Sequence, residues 1–236
     1  MGLFSSKEAK ARAEAERLVE VVCHFGTYRD IREGAQQERA VMRLVQLGEH
    51  AVGPIVAALE DGRANARPTM EVILSAIGEP AVPAMTEMLA HGDGANQLLA
   101  ATVLGDRDGL EETFLSVLNT QIARSSEGGN ADLHVVIDVA TYLAKRPSPE
   151  AMDALVRAFM ARYAVVDHGL QATEFRALGS PRTQLCMAFA AMGQSARQWL
   201  DEHGDDPREG YRAAVLKIKE YLPDAARHAE SSGFPY

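Results

Sequence analysis

Two side chains with metal-binding chemistry lie four residues apart in the middle of the chain. His134 and Asp138 fall in an apolar stretch with helical periodicity, and their spacing places both on one face of a helix. Imidazole and carboxylate groups are common metal ligands. No third ligand follows at matching spacing, so the pair also fits an ordinary helix surface. We expect neither a bound metal nor a cofactor.

The single tryptophan of the chain is a second candidate. Trp199 lies near the end of a late predicted helix, two residues before Asp201. Large aromatic side chains often anchor protein interfaces, so Trp199 is a candidate partner-binding residue; packing against a neighbouring helix is the alternative. Cys23 and His24 are adjacent, and adjacent residues on a helix do not generally meet as nucleophile and base. We therefore assign them a structural role.

Motifs of the common enzyme classes are missing from the sequence. We find no glycine-rich phosphate loop, no nucleophile elbow, no HExxH and no CxxC. Cys23 and Cys186 sit in apolar runs without paired spacing, which fits buried free thiols in a reducing compartment. We therefore expect a non-catalytic, cytoplasmic protein. Its apolar runs are shorter than the roughly 18 residues of a membrane span, so no span is expected.

The charge of the chain is acidic and unevenly distributed. Its 236 residues include 24 Lys and Arg and 33 Asp and Glu, a formal charge of −9. An acidic chain is a poor ligand for phosphate backbones, so nucleic acid is not an expected partner. Between Glu49 and Glu112 there are 11 acidic and 3 basic residues. This stretch predicts an acidic face for a protein with a basic surface, with candidate contacts at Glu49, Glu79 and Glu87; an ordinary solvated surface is the alternative.

An internal repeat indicates the architecture. Residues 47–62, LGEHAVGPIVAALEDG, align without gaps with residues 77–92, IGEPAVPAMTEMLAHG, at a period of 30. A weaker third copy begins at Met192-Gly193 and keeps the alanine three residues after its glycine. Repeats of this length are typical of stacked supersecondary units.

The residues of each copy can be interpreted by their roles at helix ends and turns. In the first copy an apolar helix ends at Leu47, and Gly48 is expected to take the left-handed conformation that closes a helix. After two residues of turn, a second helix starts near Ala51, with Pro54 in its first turn, where no amide donor is missed. The second copy, with Pro83, follows the same plan. Each unit is therefore predicted to be a helix, a tight turn and a second helix that stops at the next glycine.

The rest of the chain shows the same helical spacing less regularly. Further helices are predicted at 6–24, 95–104, 109–118, 131–145, 149–163, 181–192, 195–203 and 208–221, with an extension at 223–230. The stretches 125–130 and 164–180 are predicted loops. No segment shows sustained strand alternation, so the fold class is predicted to be all-α.

The unit LGEHAVGPIVAALEDG resembles the HEAT-like repeats of the bilin-lyase type of repeat protein. Those repeats have an apolar residue and glycine, a short polar turn, Ala-Val-Pro and an apolar helix; Leu47-Gly48, Ala51-Val52 and Pro54 fit here. The resemblance implies an α-solenoid of antiparallel helix pairs, a HEAT/armadillo-like superhelix. In such families the concave surface grips a partner.

These observations predict an N-terminal helix over 1–30, regular HEAT-like repeats over 31–124, and divergent helical repeats of the same solenoid over 125–236. The leading hypothesis is a protein-binding scaffold that uses the concave face. Three alternatives stay open. The repeat resemblance implies a chromophore lyase or chaperone-like helper. The chain also resembles HEAT-like alkylpurine DNA glycosylases in combining a helical solenoid with aromatic residues and Asp, although their catalytic motif does not align here. The third alternative is self-association through the end helices.

Overall fold

The chain folds into helices that form two compact units. The computed structural model describes residues 3–24, 31–63, 66–105, 107–164 and 181–232. The all-α prediction is confirmed, since 83% of the described residues are helical and they form twelve α-helices. Contacts divide the chain into unit 1, Met1–Gly105, and unit 2, Asp106–Tyr236. The sequence analysis separates regular repeats over 31–124 from divergent repeats over 125–236. This separation concerns the regularity of the repeats, and it stays a prediction.

Unit 1 consists of α-helices with one short 3-10 helix between two of them. The described elements are α1 (Leu3–His24), α2 (Ile31–Leu47), α3 (Glu49–Glu60), α4 (Arg67–Ile77), the 3-10 helix Glu79–Ala81, α5 (Val82–His91) and α6 (Gly94–Leu104). Apolar side chains on successive helices meet in its core, where Leu44, Ile55, Ile73 and Met85 are fully buried.

The helices of unit 1 lie in two layers. α2 packs on α4 and α4 on α6, whereas α1 packs on α3 and α3 on α5. We call α1, α3 and α5 the odd layer of unit 1. The two helices joined by a glycine turn are not the ones that pack most extensively. α5 packs most extensively on α6, and the axis bends by 117° between Arg67–Ile77 and Glu79–His91. Because the turn is one residue long, the two helices that it joins meet only at their ends. Their more extensive packing is with other helices.

The glycine turns share one backbone conformation. Gly48 has φ 55° and ψ −124°, and Gly78 has φ 75° and ψ −129°. The predicted positive φ is confirmed, but ψ lies far from the roughly +47° of a left-handed helix. This is the geometry of the second residue of a type II′ turn. The carbonyl oxygen of Gly48 accepts from the Ala51 amide at 2.9 Å, which starts the next helix. Gly105 and Gly193 have the same conformation.

The position of Pro54 differs from the prediction. α3 begins at Glu49, earlier than expected, so Pro54 lies inside the helix and removes one helical hydrogen bond. In the second copy Pro80 lies in the 3-10 helix, and Pro83 falls in the first turn of α5 as predicted. The second helix therefore starts differently in the two copies, because only the second copy has a proline directly after the glutamate of the turn.

Unit 2 repeats the two-layer arrangement. Its described elements are α7 (Glu111–Ser126), β1 (Ala131–Asp132), α8 (Leu133–Ala144), α9 (Pro149–Met160), β2 (Tyr163–Ala164), α10 (Pro181–Ala191), α11 (Gln194–Glu202) and α12 (Glu209–Ser232). α7 packs on α9 and α9 on α11, whereas α8 packs on α10 and α10 on α12. We call α7, α9 and α11 the odd layer of unit 2.

A short parallel strand pair is an addition to the predicted helices. Ala131 pairs with Tyr163 and Asp132 with Ala164. The pair is anchored from α7, because Gln121 Oε1 accepts from the Asp132 amide at 2.9 Å. The Asp132 carboxylate also caps the first turn of α8. Strands of two residues are too short to show an alternating pattern, so sequence periodicity does not predict this strand pair.

Two predicted boundaries in unit 2 change. α7 continues to Ser126, so the predicted loop 125–130 starts later. α12 runs through Pro223 without a break, with Leu222 and Ala225 buried on either side of the proline. Pro223 has no N–H group to donate a helical hydrogen bond, and the burial of Leu222 and Ala225 against α10 offsets this loss. The predicted loop 164–180 lies outside the described residues, apart from Ala164 in β2.

No single helix in the described part of the chain is long and apolar enough to cross a membrane. Arg67–Ile77 and Glu79–His91 meet that test of length and composition as a pair, although they are sharply bent relative to each other.

Candidate functional site

Trp199 is buried on α11, with 6% of its surface exposed. Its ring stacks on the His203 imidazole, with centroids 4.0 Å apart and an interplanar angle of 17°. His203 Nδ1 lies 2.8 Å from the backbone oxygen of Trp199. Because a carbonyl oxygen only accepts, this contact assigns the hydrogen to Nδ1 and leaves Nε2 for another partner. Only a small part of the indole can therefore contact a ligand.

Trp199 and His203 border an open cleft of about 580 Å³ in unit 2. The cleft lies on the odd layer of that unit, and the segment between α11 and α12 closes one side. Leu115 and Pro149 give it apolar walls, and charged side chains line the rest: Glu150, Asp153, Arg157, Asp206 and Arg208. Its volume is within the roughly 300–1,000 Å³ usual for ligand-binding clefts.

Asp153 connects the polar groups of the cleft. Its Oδ1 accepts from the Tyr211 hydroxyl at 2.8 Å, and its Oδ2 accepts from Arg157 Nε at 2.8 Å. Arg208 Nη2 lies 3.9 Å from the same Oδ1. Burial, and next the hydrogen bond to Asp153, raise the pKa of Tyr211. The phenol therefore stays protonated at ordinary pH and keeps donating to the carboxylate.

A second aspartate fixes the orientation of Arg208. Asp206 accepts from Arg208 Nε at 2.9 Å and from its Nη2 at 2.8 Å. The guanidinium also lies over the Tyr211 ring, 3.8 Å from its centroid. The Asp206 side chain is 10% exposed and that of Arg208 56%, so the pair presents its cation to solvent. The hydrogen bond from Arg208 lowers the pKa of Asp206 from 3.8 to about 2.

The three predicted acidic contacts lie in unit 1, on neighbouring elements. Glu49 begins α3, Glu79 begins the 3-10 helix, and Glu87 lies on α5; α3 packs on both of the other elements. All three residues are exposed. The side chains of Glu49 and Glu87 are 76% and 77% exposed, with His50 and His91 as neighbours at 4.0 and 3.8 Å. The structure therefore places these glutamates on neighbouring elements of unit 1, and Trp199 in unit 2.

Basic residues are sparse around this acidic surface. The sequence has no Lys or Arg between Pro68 and Gly105, which covers most of α4 and all of α5 and α6. Arg63, five residues before this stretch, donates to Glu20 of α1 at 2.6 Å. Its charge is therefore directed toward α1. The carboxylates of α3 and α5 give this part of the odd layer a negative surface.

Other sequence candidates take structural positions. His134 is buried, and its backbone amide donates to the capping Asp132 carboxylate at 3.0 Å. Asp201 is exposed and lies 2.6 Å from Lys219 of α12. Within the described residues, no three His, Cys, Asp or Glu side chains are grouped so that they could hold a metal ion.

The charged cluster around Asp153 was missed at the sequence level. The Asp153–Arg157 spacing of four is a usable signal, since it places both side chains on one face of α9. The contact with Tyr211 spans 58 residues, so nothing local predicts it. Arg208 follows Asp206 in a turn, and only the tertiary fold brings that turn beside α9.

Comparison of the chain with models of protein families, with curated proteins and with solved structures gave no match.

Proposed function

We propose that this chain is a non-catalytic, HEAT-like helical-repeat scaffold that binds a partner protein in the cytoplasm. Support comes from the packing, since in each unit helices contact the helix two positions later in two layers. The four glycine turns at Gly48, Gly78, Gly105 and Gly193 add the signature of a repeated unit. Stacked repeats of this kind expose one layer as a continuous surface for partners.

The partner surface that we propose is the acidic surface formed by α3, the 3-10 helix Glu79–Ala81 and α5 in unit 1, and its ligand is a protein segment rich in Lys and Arg. The observation that carries this choice is the exposure of Glu49, Glu79 and Glu87 beside a stretch without basic residues. Complementary charge accelerates association and selects against acidic partners. Exposed carboxylates contribute little each, so several must act together.

A charge-removal experiment tests this surface. The triple variant Glu49→Gln, Glu79→Gln, Glu87→Gln is compared with the wild type for binding to a lysine-rich peptide at low and moderate salt. We expect the variant to bind about tenfold more weakly at low salt, with the difference shrinking as salt screens the charges. The same proteins then serve as bait in extract of the source organism, and any captured protein is purified for direct binding measurements.

The matched control removes three carboxylates elsewhere in unit 1, through Glu8→Gln, Glu16→Gln and Glu38→Gln on α1 and α2. It has the same net charge as the test variant and is expected to keep the wild-type affinity. Equal losses in the two triple variants would show a general charge effect and no specific surface. Unchanged affinity of the test variant at low salt would reject the proposal.

A further inference from the structure

Unit 2 contains a second cavity, of about 840 Å³, which shares no described lining residue with the cleft at Trp199. It lies where the end of α9 and β2 meet the first turn of α10 and the middle of α12. Its volume is within the roughly 300–1,000 Å³ usual for small-molecule sites. The chain therefore has a cavity of ligand size that the proposed partner surface does not use.

Much of the cavity wall is apolar or aromatic. The residues that form this part of the wall are Ala161, Tyr163, Pro181, Cys186, Tyr221 and Ala225. The Tyr163 hydroxyl donates to the backbone oxygen of Ala158, so it is satisfied within the protein. Burial raises the pKa of Tyr163, and it raises the pKa of Cys186 to about 12, so both groups are uncharged at ordinary pH. A ligand therefore gains most of its affinity here from an apolar body.

The charged groups at the cavity leave one positive charge without a counterion. Lys217 donates to Glu220 Oε2 at 2.7 Å, and Asp224, the one carboxylate among the described lining residues, accepts from Arg227. Arg182 has neither a hydrogen bond nor an ion pair from its side chain among the described residues. The lining groups and their partners are thus three basic and two acidic side chains, an excess of one positive charge.

The position of Arg182 also favours an anion. Arg182 is the second residue of α10, and the backbone dipoles of a helix add partial positive charge at its N-terminus. Its guanidinium lies 5.4 Å from the centroid of the Phe159 ring, a cation–π contact that leaves the N–H groups to seek acceptors elsewhere. One carboxylate supplies such acceptors and matches the single excess charge, whereas a phosphate monoester brings about −1.5 to −2.

We propose that this cavity binds a small amphiphilic carboxylate, an aliphatic chain with one carboxylate head group, and that Arg182 holds the head group. The aliphatic chain lies against the apolar wall, where Cys186 and Ala225 are buried. All described residues of the site belong to unit 2, so this proposal does not depend on the acidic surface of unit 1.

Calorimetry with the full chain and three ligands that share one alkyl chain tests the proposal. The ligands are decanoate, decanol and decylammonium, each used below the concentration at which it self-associates. We expect decanoate to bind in a one-to-one complex and decylammonium to bind at least about tenfold more weakly, because its charge opposes that of Arg182. Decanol, which has the chain without a charge, should bind with intermediate affinity.

Three variants locate the binding site. Arg182→Gln should weaken decanoate binding at least about tenfold and leave the affinity for decanol unchanged, since only the charge-assisted contact is lost. Unchanged decanol binding also shows that the variant is folded. Arg124→Gln is the matched control, because Arg124 is an exposed arginine of α7 without an ion pair among the described residues, and it should keep the wild-type affinity. Ala161→Leu should weaken the binding of both ligands, because the larger side chain narrows the cavity.

Three results would overturn the proposal: no heat of binding with decanoate, decylammonium binding as tightly as decanoate, or equal decanoate affinities of Arg182→Gln and Arg124→Gln. The triple glutamine variant of the unit 1 surface should bind decanoate like the wild type, and Arg182→Gln should bind the lysine-rich peptide like the wild type. Either proposal can therefore fail without the other.

Discussion

Gly48 and Gly78, thirty residues apart, hold the same backbone conformation at the same point between two helices. In each case the glycine amide closes the preceding helix and the glycine carbonyl opens the following one. The turn therefore has a fixed direction, and it leads from α2 in one layer to α3 in the other. A side chain at either position would have to adopt a backbone conformation that L residues rarely adopt.

Replacing Gly48 by alanine tests this role. The added Cβ meets no atom within 4 Å, so any effect arises from the backbone conformation and not from a clash. We expect Gly48→Ala to lower the free energy of unfolding by about 1–3 kcal/mol, measured from urea unfolding curves. Gly210→Ala is the control, because Gly210 is helical, without positive φ, and its Cβ would make an ordinary contact with Met160. A Gly48→Ala protein as stable as the Gly210→Ala protein would contradict the prediction.

The Asp206–Arg208 pair should make stability depend on pH in the acid range. The folded pKa of Asp206, about 2, lies below its ordinary value of 3.8, so its contribution is present above about pH 4. It is lost as the pH falls through about 2. The difference in unfolding free energy between the wild type and Asp206→Asn should be constant near neutral pH and shrink between about pH 4 and 2. Denaturant titrations at several pH values measure this difference.

The neighbouring residue provides the control for that experiment. Asp205 is exposed, and Asp205→Asn changes the net charge by the same amount. A pH-dependent difference of equal size in Asp205→Asn would assign the effect to net charge and not to the ion pair with Arg208.

The two cysteines should differ in reactivity. Cys186 is buried on α10, and burial raises its pKa to about 12, so almost no thiolate is present at pH 8. Cys23 is half-buried; burial raises its pKa too, but a hydrogen bond from Arg63 works in the opposite direction. We expect a thiol reagent to label Cys23 at least about tenfold faster than Cys186 in the folded protein.

A Cys23→Ser variant separates the two reactions. It should retain only the slow phase in the native state and regain fast labelling in guanidinium chloride. Fast labelling of the folded Cys23→Ser protein would show that Cys186 is accessible, against the observed burial.

Asp132 should be the most important helix cap in unit 2. It is buried, it accepts from two amides at the start of α8, and its own amide is held by Gln121. We expect Asp132→Ala to cost about 1–2 kcal/mol of unfolding free energy. Ser148→Ala, which removes a cap with one accepted amide on α9, should cost less. Thermal unfolding of both variants gives the comparison, and the reverse order would reject this ranking.

Local sequence features predicted much of the helical content and little of the candidate cleft. The helices around Gly48 and Gly78 can be predicted from the sequence, because apolar spacing and a helix-ending glycine are local features. The predicted start of α3 is later than the observed one, because a proline indicates the first turn of a helix, whereas α3 begins at Glu49 and contains Pro54 further in. The cleft groups around Asp153 come from α9, from the turn at Asp206 and from α12, and no periodicity links such distant segments.

The sequence by itself determined that this chain is helical, where its glycine turns fall and that its acidic charge is concentrated between Glu49 and Glu112. These properties follow from spacing and composition, which act over one or two helical turns. The tertiary structure decided which helices pack together, that Trp199 is buried on His203, and that two arginines converge on Asp153. Those relationships depend on contacts between segments far apart in sequence, where burial and hydrogen-bond satisfaction outweigh local preference.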